Sequence, residues 1–490
     1  MQDQSAQLCI IGAGPAGLTV AREFVGGRVD VLVLESGGSP EISQAQDLNA
    51  GDNLGVTYSG LRATRHRGLG GTVQLWNTVV GDQVGAKFAP LDPGDFETSP
   101  AGLSGWPIGY YEMSSYYERA QSVCGLGSYR YDAAHWQTDD VRPFDLGDTS
   151  LTTRVYQFGS ASQWLDDHVA SILRAENIRL VSGVTAGHFI GQDSHGVRRL
   201  HVKDTVSGAD STITADVFVL AAGAVENARL LMLSELDGVR IGNRLLGRCF
   251  MEHPRDGSLR LAVSGGDVID KARFYDMRPA RDGTIVAGRL ARRGEQEESA
   301  RRINFSVTLL PQARPPGLAG RLLRRIGLAE ERRGYGWSLL PDAPSRYEHL
   351  GLIVNLEQAP SLSNRIVLAG VRDRLGYPRS QLVFHWRDDE QQAADAVAGQ
   401  IAQAMADAQL GDVERLLSVP VDLNAHHHAG TTRMADSSAD GVIDPSCRVF
   451  GLDNVYVAGA SAFPTAGFAN PMLTIVAMAI RLADHLKTRL

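Results

Sequence analysis

The stretch LCIIGAGPAG, Leu8 to Gly17, decides the fold. Leu8 to Ile11 read as a short buried strand, and three glycines spaced GxGxxG follow at once. Gly12 permits the tight turn, Gly14 lets a pyrophosphate approach the backbone, and Gly17 lets the next helix pack on the strand. Pro15 and Ala16 open that helix, LTVAREF continues it, and its N-terminus faces the phosphates. A second apolar run, Val29 to Leu34, ends at Glu35, whose carboxylate accepts hydrogen bonds from ribose hydroxyls. Strand, glycines, helix, strand and terminal acid together point to a dinucleotide site; the blander reading is a glycine turn in an ordinary α/β sheet. The motif alone leaves FAD and NAD open, because both bring an ADP half to the same crevice.

The whole chain sets wider bounds. Its 490 residues suffice for two or three domains, or for one large cofactor domain with a second built into it. An apolar fraction of 43% and a charged fraction of 21% describe a folded globular chain. A net charge of -8 argues against nucleic acid or an anionic membrane as partner, since both favour basic surfaces. The four cysteines lie far apart in no CxxC spacing, so free thiols in a reducing compartment are expected. The N-terminus has no charged region ahead of a long apolar one, so no signal peptide is read there, and a cytoplasmic location is expected. The longest apolar stretch, Val217 to Leu233, contains Glu226, Asn227 and Arg229, which disqualifies it as a membrane span.

Several further segments occur in order. They are Glu35-Ser36-Gly37-Gly38, the glycine-rich Gly68 to Thr72 leading to Trp76-Asn77, SGWPIGYYEMSSYYERA from Ser104, VFVLAAGAVENARLLMLSE from Val217, GRCFMEHP from Gly247, and SNRIVLAGVRDRLGYP from Ser363. HHHAGTTRM, His426 to Met434, and the long closing stretch from Gly441 to Leu486 complete the series. Together they resemble the glucose-methanol-choline (GMC) family of flavoprotein oxidoreductases. The portion FPTAGFANPMLT, from Phe463, is similar to the branch containing pyranose oxidase and related sugar dehydrogenases.

The resemblance implies FAD and an α/β fold in which a Rossmann-like FAD-binding domain is assembled from discontinuous segments, 1–86, 150–258 and 425–490. An α+β substrate-binding domain on an antiparallel sheet would come from 87–149 and 259–424. Patterning agrees in the parts it reaches: Trp164 to Ala175 is helical, Ile178 to Val181 strand-like, and Val197 to Leu220 alternates as two or three strands. No internal repeat is visible.

The same resemblance implies site residues. HxxGT selects His427 as the imidazole facing the flavin, with Asn470 ahead of the last helix as its partner. Around the glycine-rich loop it implies Ser36, Arg67, Gly70, Gly71, Thr72, Trp76 and Asn77, the last beside the flavin N5 edge. Val184, Ala222, Gly223 and Asn227 follow in the middle of the chain. Gly459, Ala460, Pro471, Met472 and Thr474 complete the cofactor lining near the C-terminus. Members of the pyranose oxidase branch with covalent FAD place a histidine directly before this tryptophan; Leu75 stands there, so FAD is expected to be non-covalent, with His66 the nearest alternative attachment point.

The residue types suit the chemistry. Removing hydride from an alcohol requires its hydroxyl proton to leave, and a neutral imidazole with an unperturbed pKa of about 6.5 accepts it, a gain on the order of 10²- to 10⁴-fold. Asn470 donates to the substrate oxygen as negative charge develops. Pro471 suits a first helical turn, and the positive helix end it opens favours the anionic reduced flavin. Three consecutive side chains rarely converge on one ion, so no metal is expected at the histidine run, and His426 and His428 are read as packing or turn residues. His253 is read as a core or turn histidine outside the catalytic pair, while His385 and Trp386 are divided evenly between pocket and packing.

The expected reaction is oxidation of a CH-OH group of a sugar, glycoside or related alcohol to a carbonyl, with hydride passing to flavin N5. Oxygen or another electron acceptor reoxidises the flavin. Two alternatives remain at this stage: flavin-dependent dehydrogenation of a non-sugar biosynthetic intermediate, and a flavin-binding scaffold without turnover, which would need neither His427 nor Asn470. The basic, amphipathic stretch Ala313 to Trp337 reads as a surface excursion of the substrate domain, a lid, or a docking surface.

Overall fold

A computed structural model describes residues 3–38, 43–80, 82–97, 103–193, 196–263, 265–294, 303–313, 336–339 and 347–490. The basic amphipathic stretch lies almost wholly outside these residues, between 314 and 335.

Strand Gln4–Ile11 forms the centre of a seven-stranded sheet, parallel to Val31–Glu35 on one side and to Asp210–Leu220 on the other. Every residue of Val31–Glu35 is buried, as a parallel strand covered on both faces requires. Ile178–Ser182 extends the parallel sheet beyond Val31–Glu35. On the far side Asp210–Leu220 divides its edge: its first half pairs antiparallel with Gly196–Asp204, and its last residues pair parallel with Val455–Val457. The C-terminal region thereby returns to the sheet that the N-terminus began.

A nine-stranded antiparallel sheet forms the second layer system, in the order Gly411–Arg415, Arg255–Val263, Tyr347–Leu356, Phe305–Ala313, Ile285–Arg292, Leu151–Ser160, Gln83–Phe88 and Thr78–Val80, with Arg278–Pro279 on Ile285–Arg292. The expected segment limits at 86 and 150 cut through this sheet. Residues 78–86 and 151–160 hydrogen-bond into the antiparallel sheet, because Gln83–Phe88 pairs directly with Leu151–Ser160. A third, small sheet joins Asn53–Gly55 to the hairpin of Arg365–Arg372 and Pro378–Phe384.

The last helix, Met472–Lys487, buries eleven of its sixteen residues and lies between Pro15–Arg22 and Tyr110–Val123. A helix apolar on most of its circumference belongs in the interior. At about 1.5–3 kcal/mol per fully buried large apolar side chain, Leu473, Val476, Ile480 and Leu482 anchor it in the interior. No helix among the described residues is long and apolar enough to cross a membrane.

Candidate active site

Three helices begin at one elongated cavity: Pro15–Arg22, Gly223–Leu236 and Met472–Lys487. None has a side chain capping its first turn, so the free N–H groups that every helix start carries are directed at whatever fills the cavity. The cavity encloses about 1550 Å³ of atom-free space, part of it open to solvent. Its lining includes Glu35, Ser36 and Arg67 together with His427 and Asn470.

The glycines behave as their spacing predicts. Gly12 has φ +107°, and a Cβ there would lie 2.6 Å from the Ala221 carbonyl oxygen. A Cβ on Gly17 would lie 1.9 Å from the Gly12 carbonyl oxygen, which is the close helix-to-strand approach expected of the third glycine. Gly14 and Gly71 face each other across the cavity mouth, with a Cβ on Gly71 only 3.1 Å from the Gly14 Cα. This backbone-lined cradle, three helix starts and one acid at the strand end fit a dinucleotide with phosphates and an electron-rich ring. Glu35 accepts the N–H groups of Ala13 at 2.9 Å and Gly37 at 2.8 Å, so it also clamps the turn; each carboxylate oxygen keeps a further lone pair for a hydroxyl donor.

Of the residues expected around the cofactor, Gly12, Gly14, Pro15, Ala16, Glu35, Ser36, Arg67, Gly71, Thr72 and Trp76 line this cavity. So do Val184, Ala222, Gly223, Gly459, Ala460, Asn470, Pro471 and Met472. Five do not. Gly17 serves packing, and Gly70 holds the loop through its N–H to the Ala13 carbonyl at 2.8 Å. Asn227 is buried behind the wall, where it binds the Ala222 N–H at 2.8 Å and the Ser461 hydroxyl at 2.9 Å and so ties two lining turns together. Thr474 shares a hydrogen bond with the Tyr117 hydroxyl at 2.9 Å. Asn77 is exposed, against the expectation that it approaches the ring edge: the short helix Gly71–Leu75 ends at Trp76 in extended backbone, which carries the next residue outward.

Beyond these, a buried charge cluster escapes the sequence. Glu226 meets Arg65 at 2.6 Å, Arg67 at 3.1 Å and Arg229 at 3.2 Å, and Arg229 reaches Asp373 at 2.6 Å. Burial opposes the charge on Glu226, but the three guanidiniums outweigh it and hold the carboxyl well below its ordinary range. These residues come from three separate segments, and only Glu226 and Arg229 share a helix.

The histidines of the run line the same cavity. Met251 and Ala429 exchange main-chain hydrogen bonds of 3.1 Å, an antiparallel bridge that sets His253 opposite His427. Gly430, at φ +86°, makes the approach possible, since a Cβ there would lie 2.1 Å from the Cys249 carbonyl oxygen. His427 lines the cavity; its Nε2 lies 3.3 Å from Asn470 Nδ2 and its Nδ1 lies 2.9 Å from His253 Nδ1. Desolvation, then the charges near it from His253, Lys87, Arg255 and His426, hold His427 well below the ordinary histidine pKa. His426 and His428 also line the cavity; His428 Nε2 lies 2.7 Å from the Tyr58 hydroxyl, and His426 takes φ +63° at the turn.

Reading His253 as a residue outside the pair needs correcting. It is buried as expected of a core histidine, yet its ring touches the presumed base directly. The acid beside it, Glu252, was also missed. Its fully buried carboxylate accepts the main-chain N–H of His427 at 2.9 Å and of His253 at 3.3 Å, and the Tyr58 hydroxyl donates to its other oxygen. Burial pushes Glu252 up to about 7 despite those donors. Among the described residues no group of three or more His, Cys, Asp or Glu is placed to hold a metal ion, and all four cysteines are free and buried.

Fold and cavity define a dinucleotide-dependent oxidoreductase. Comparison with known proteins specifies it further: residues 360–479 match the GMC oxidoreductase family model. The chain is 24% identical to 6'''-hydroxyparomomycin C oxidase of Streptomyces lividus, over 99% of this chain and 92% of that one. It is 26% identical to the fructose dehydrogenase large subunit of Gluconobacter japonicus, over 56% of this chain but only 47% of the relative's length. In fold it matches a formate oxidase with TM-score 0.58 and 18% identity, covering 100% of this chain and 99% of the other. Residues 360–479 thus match the GMC oxidoreductases and nearly the whole chain is similar to one of their oxidases; the protein is an FAD-dependent enzyme of the kind that oxidises CH-OH groups.

Proposed function

We infer that this protein oxidises a CH-OH group of a small alcohol, sugar or glycoside to a carbonyl, with His427 as the base and Asn470 as the donor to the substrate oxygen. One observation carries the reading: His427 Nε2 and Asn470 Nδ2, 3.3 Å apart, line the same cavity as the dinucleotide cradle. When bound, FAD supplies the hydride acceptor.

The chain's own residues do the rest. Gly12 to Gly17 and Glu35 hold the adenosine and pyrophosphate half, with Ser36 and Arg67 beside them. The start of Met472–Lys487 directs its N–H dipoles into the cavity next to Asn470, where they stabilise negative charge. His427, kept neutral by desolvation, accepts the hydroxyl proton at Nε2, and Asn470 donates to the oxygen as alkoxide character grows. The antiparallel sheet provides the substrate side. A relative named for fructose supports a sugar as substrate. FAD is held non-covalently, in keeping with Leu75 before Trp76.

Anaerobic mixing of the yellow protein with a panel of sugars, glycosides and simple alcohols tests the reaction, and admitting oxygen or a quinone then identifies the acceptor. Bleaching by none of the panel would refute the substrate class. Acid precipitation tests the linkage: the yellow colour should remain in the supernatant.

A further inference from the structure

We propose that His253 is a positioning residue that sets the tautomer of His427, fixing its ring hydrogen on Nδ1 and leaving Nε2 bare toward the cavity. The proposal rests on the reading of His427 as the base, and it deepens that reading by saying why one of two equivalent-looking nitrogens is available.

The argument starts at a carbonyl. His253 Nε2 lies 3.2 Å from the Ala466 carbonyl oxygen, and a carbonyl only accepts, so His253 carries its hydrogen on Nε2. The backbone of Gly467 acts on the ring in the same sense. Burial, opposed by those carbonyls and aided by the charge of Lys87, lowers His253 to about 4, so the ring is neutral and its Nδ1 is a lone pair. That lone pair faces His427 Nδ1 at 2.9 Å. Two ring nitrogens at this distance need one hydrogen between them, and His253 has none to give. It therefore sits on His427 Nδ1, and His427 Nε2 keeps its lone pair, accepting from Asn470 Nδ2.

Rotating the Asn470 amide does not rescue the opposite tautomer. A His427 hydrogen on Nε2 would force His253 to donate from Nδ1 and to turn a bare Nε2 onto the Ala466 carbonyl, lone pair against lone pair, in a fully buried place. The backbone positions of the two residues are fixed as well, because Glu252 accepts the main-chain N–H of both and the Met251–Ala429 bridge sets their separation. The charged and titratable groups around the pair are Lys87, Arg255, His426 and Glu252. When the substrate O–H bond breaks, its proton joins the Nε2 lone pair and forms the new N–H bond. His427 Nδ1–H continues to donate to His253, a neutral acceptor that leaves the imidazolium less stabilised than a carboxylate would.

The experiment is ¹⁵N NMR of the holoenzyme labelled at histidine, with His427→Asn assigning the resonances, repeated for His253→Phe and His253→Asn. The wild type should show His427 with hydrogen on Nδ1 and none on Nε2. His253→Phe should lose that signature and slow flavin reduction by about 10²-fold or more at little cost in KM, with an altered pH profile. His253→Asn places an amide oxygen where Nδ1 stood and should restore both. A wild-type spectrum with His427 hydrogen on Nε2 overturns the proposal, whatever the variants do; so does a His253→Phe enzyme that keeps the Nδ1–H signature and the wild-type pH profile. If His427→Ala reduces flavin normally while the spectra stand as expected, the base lies elsewhere and the tautomer assignment survives.

Discussion

Glu252 and His427 are 175 residues apart in sequence and joined by a 2.9 Å hydrogen bond from the histidine's main-chain N–H to a fully buried carboxylate. The imidazole proposed as the base is thus held from behind by a titratable group that does not line the cavity. The same carboxylate supports His253, so the pair is mounted on one acid.

Removing the base gives the first prediction. His427→Ala should retain yellow flavin and slow flavin reduction by about 10²- to 10⁴-fold in anaerobic stopped flow. Unchanged reduction would move the base elsewhere. Because desolvation and neighbouring cations depress His427, the acid limb of kcat/KM should lie below the ordinary histidine value of about 6.5.

Stability should depend on pH through two groups of opposite sense. The Glu252 pKa is raised in the folded chain to about 7, so its contribution is complete below the ordinary carboxylate range and is lost as pH rises through about 7. His253 is depressed to about 4, so its contribution is complete above about 6.5 and is lost as pH falls toward 4. Glu252→Gln should flatten the alkaline fall in denaturation midpoint between about pH 5 and 8, and His253→Phe the acid one. Curves parallel to wild type would contradict both assignments.

Arg229 and Asp373 bind at 2.6 Å with side chains only 5% and 2% exposed, fastening the helix Gly223–Leu236 to the loop that joins the two strands of the small sheet's hairpin. Asp373→Ala leaves the buried Arg229 guanidinium with Glu226 as its one remaining carboxylate partner, and the expected loss is at the lower end of about 3–5 kcal/mol, read from urea unfolding. A loss under about 1 kcal/mol would place this pair with ordinary surface bridges.

Gly12→Val combines a positive φ with a Cβ 2.6 Å from backbone oxygen. The purified protein should be colourless and less stable, by absorbance and thermal melting. Full flavin content would show that the turn adapts.

How much of this was legible beforehand follows from the range of each signal. The dinucleotide turn is local: strand, glycines and Glu35 fall within one short stretch, and each acts through its own backbone or its immediate neighbours. His427 and Asn470 were legible only through resemblance, since no spacing in the chain links residues 43 positions apart. Asn77 is exposed because the short helix ends at Trp76 in extended backbone, a conformation not written in the residue types.

The sequence by itself determined the cofactor cradle and, through resemblance, pointed to FAD-dependent chemistry and to the imidazole proposed as the base. Tertiary structure alone decided what surrounds that imidazole: His253 and Glu252 at its back, the arginines gathered on Glu226, and the strands at 78–88 and 151–160 joined to the antiparallel sheet. The physical reason is that a glycine's φ or a strand's periodicity is written in consecutive residues, whereas a hydrogen bond between distant segments exists only once the sheets have fixed their register.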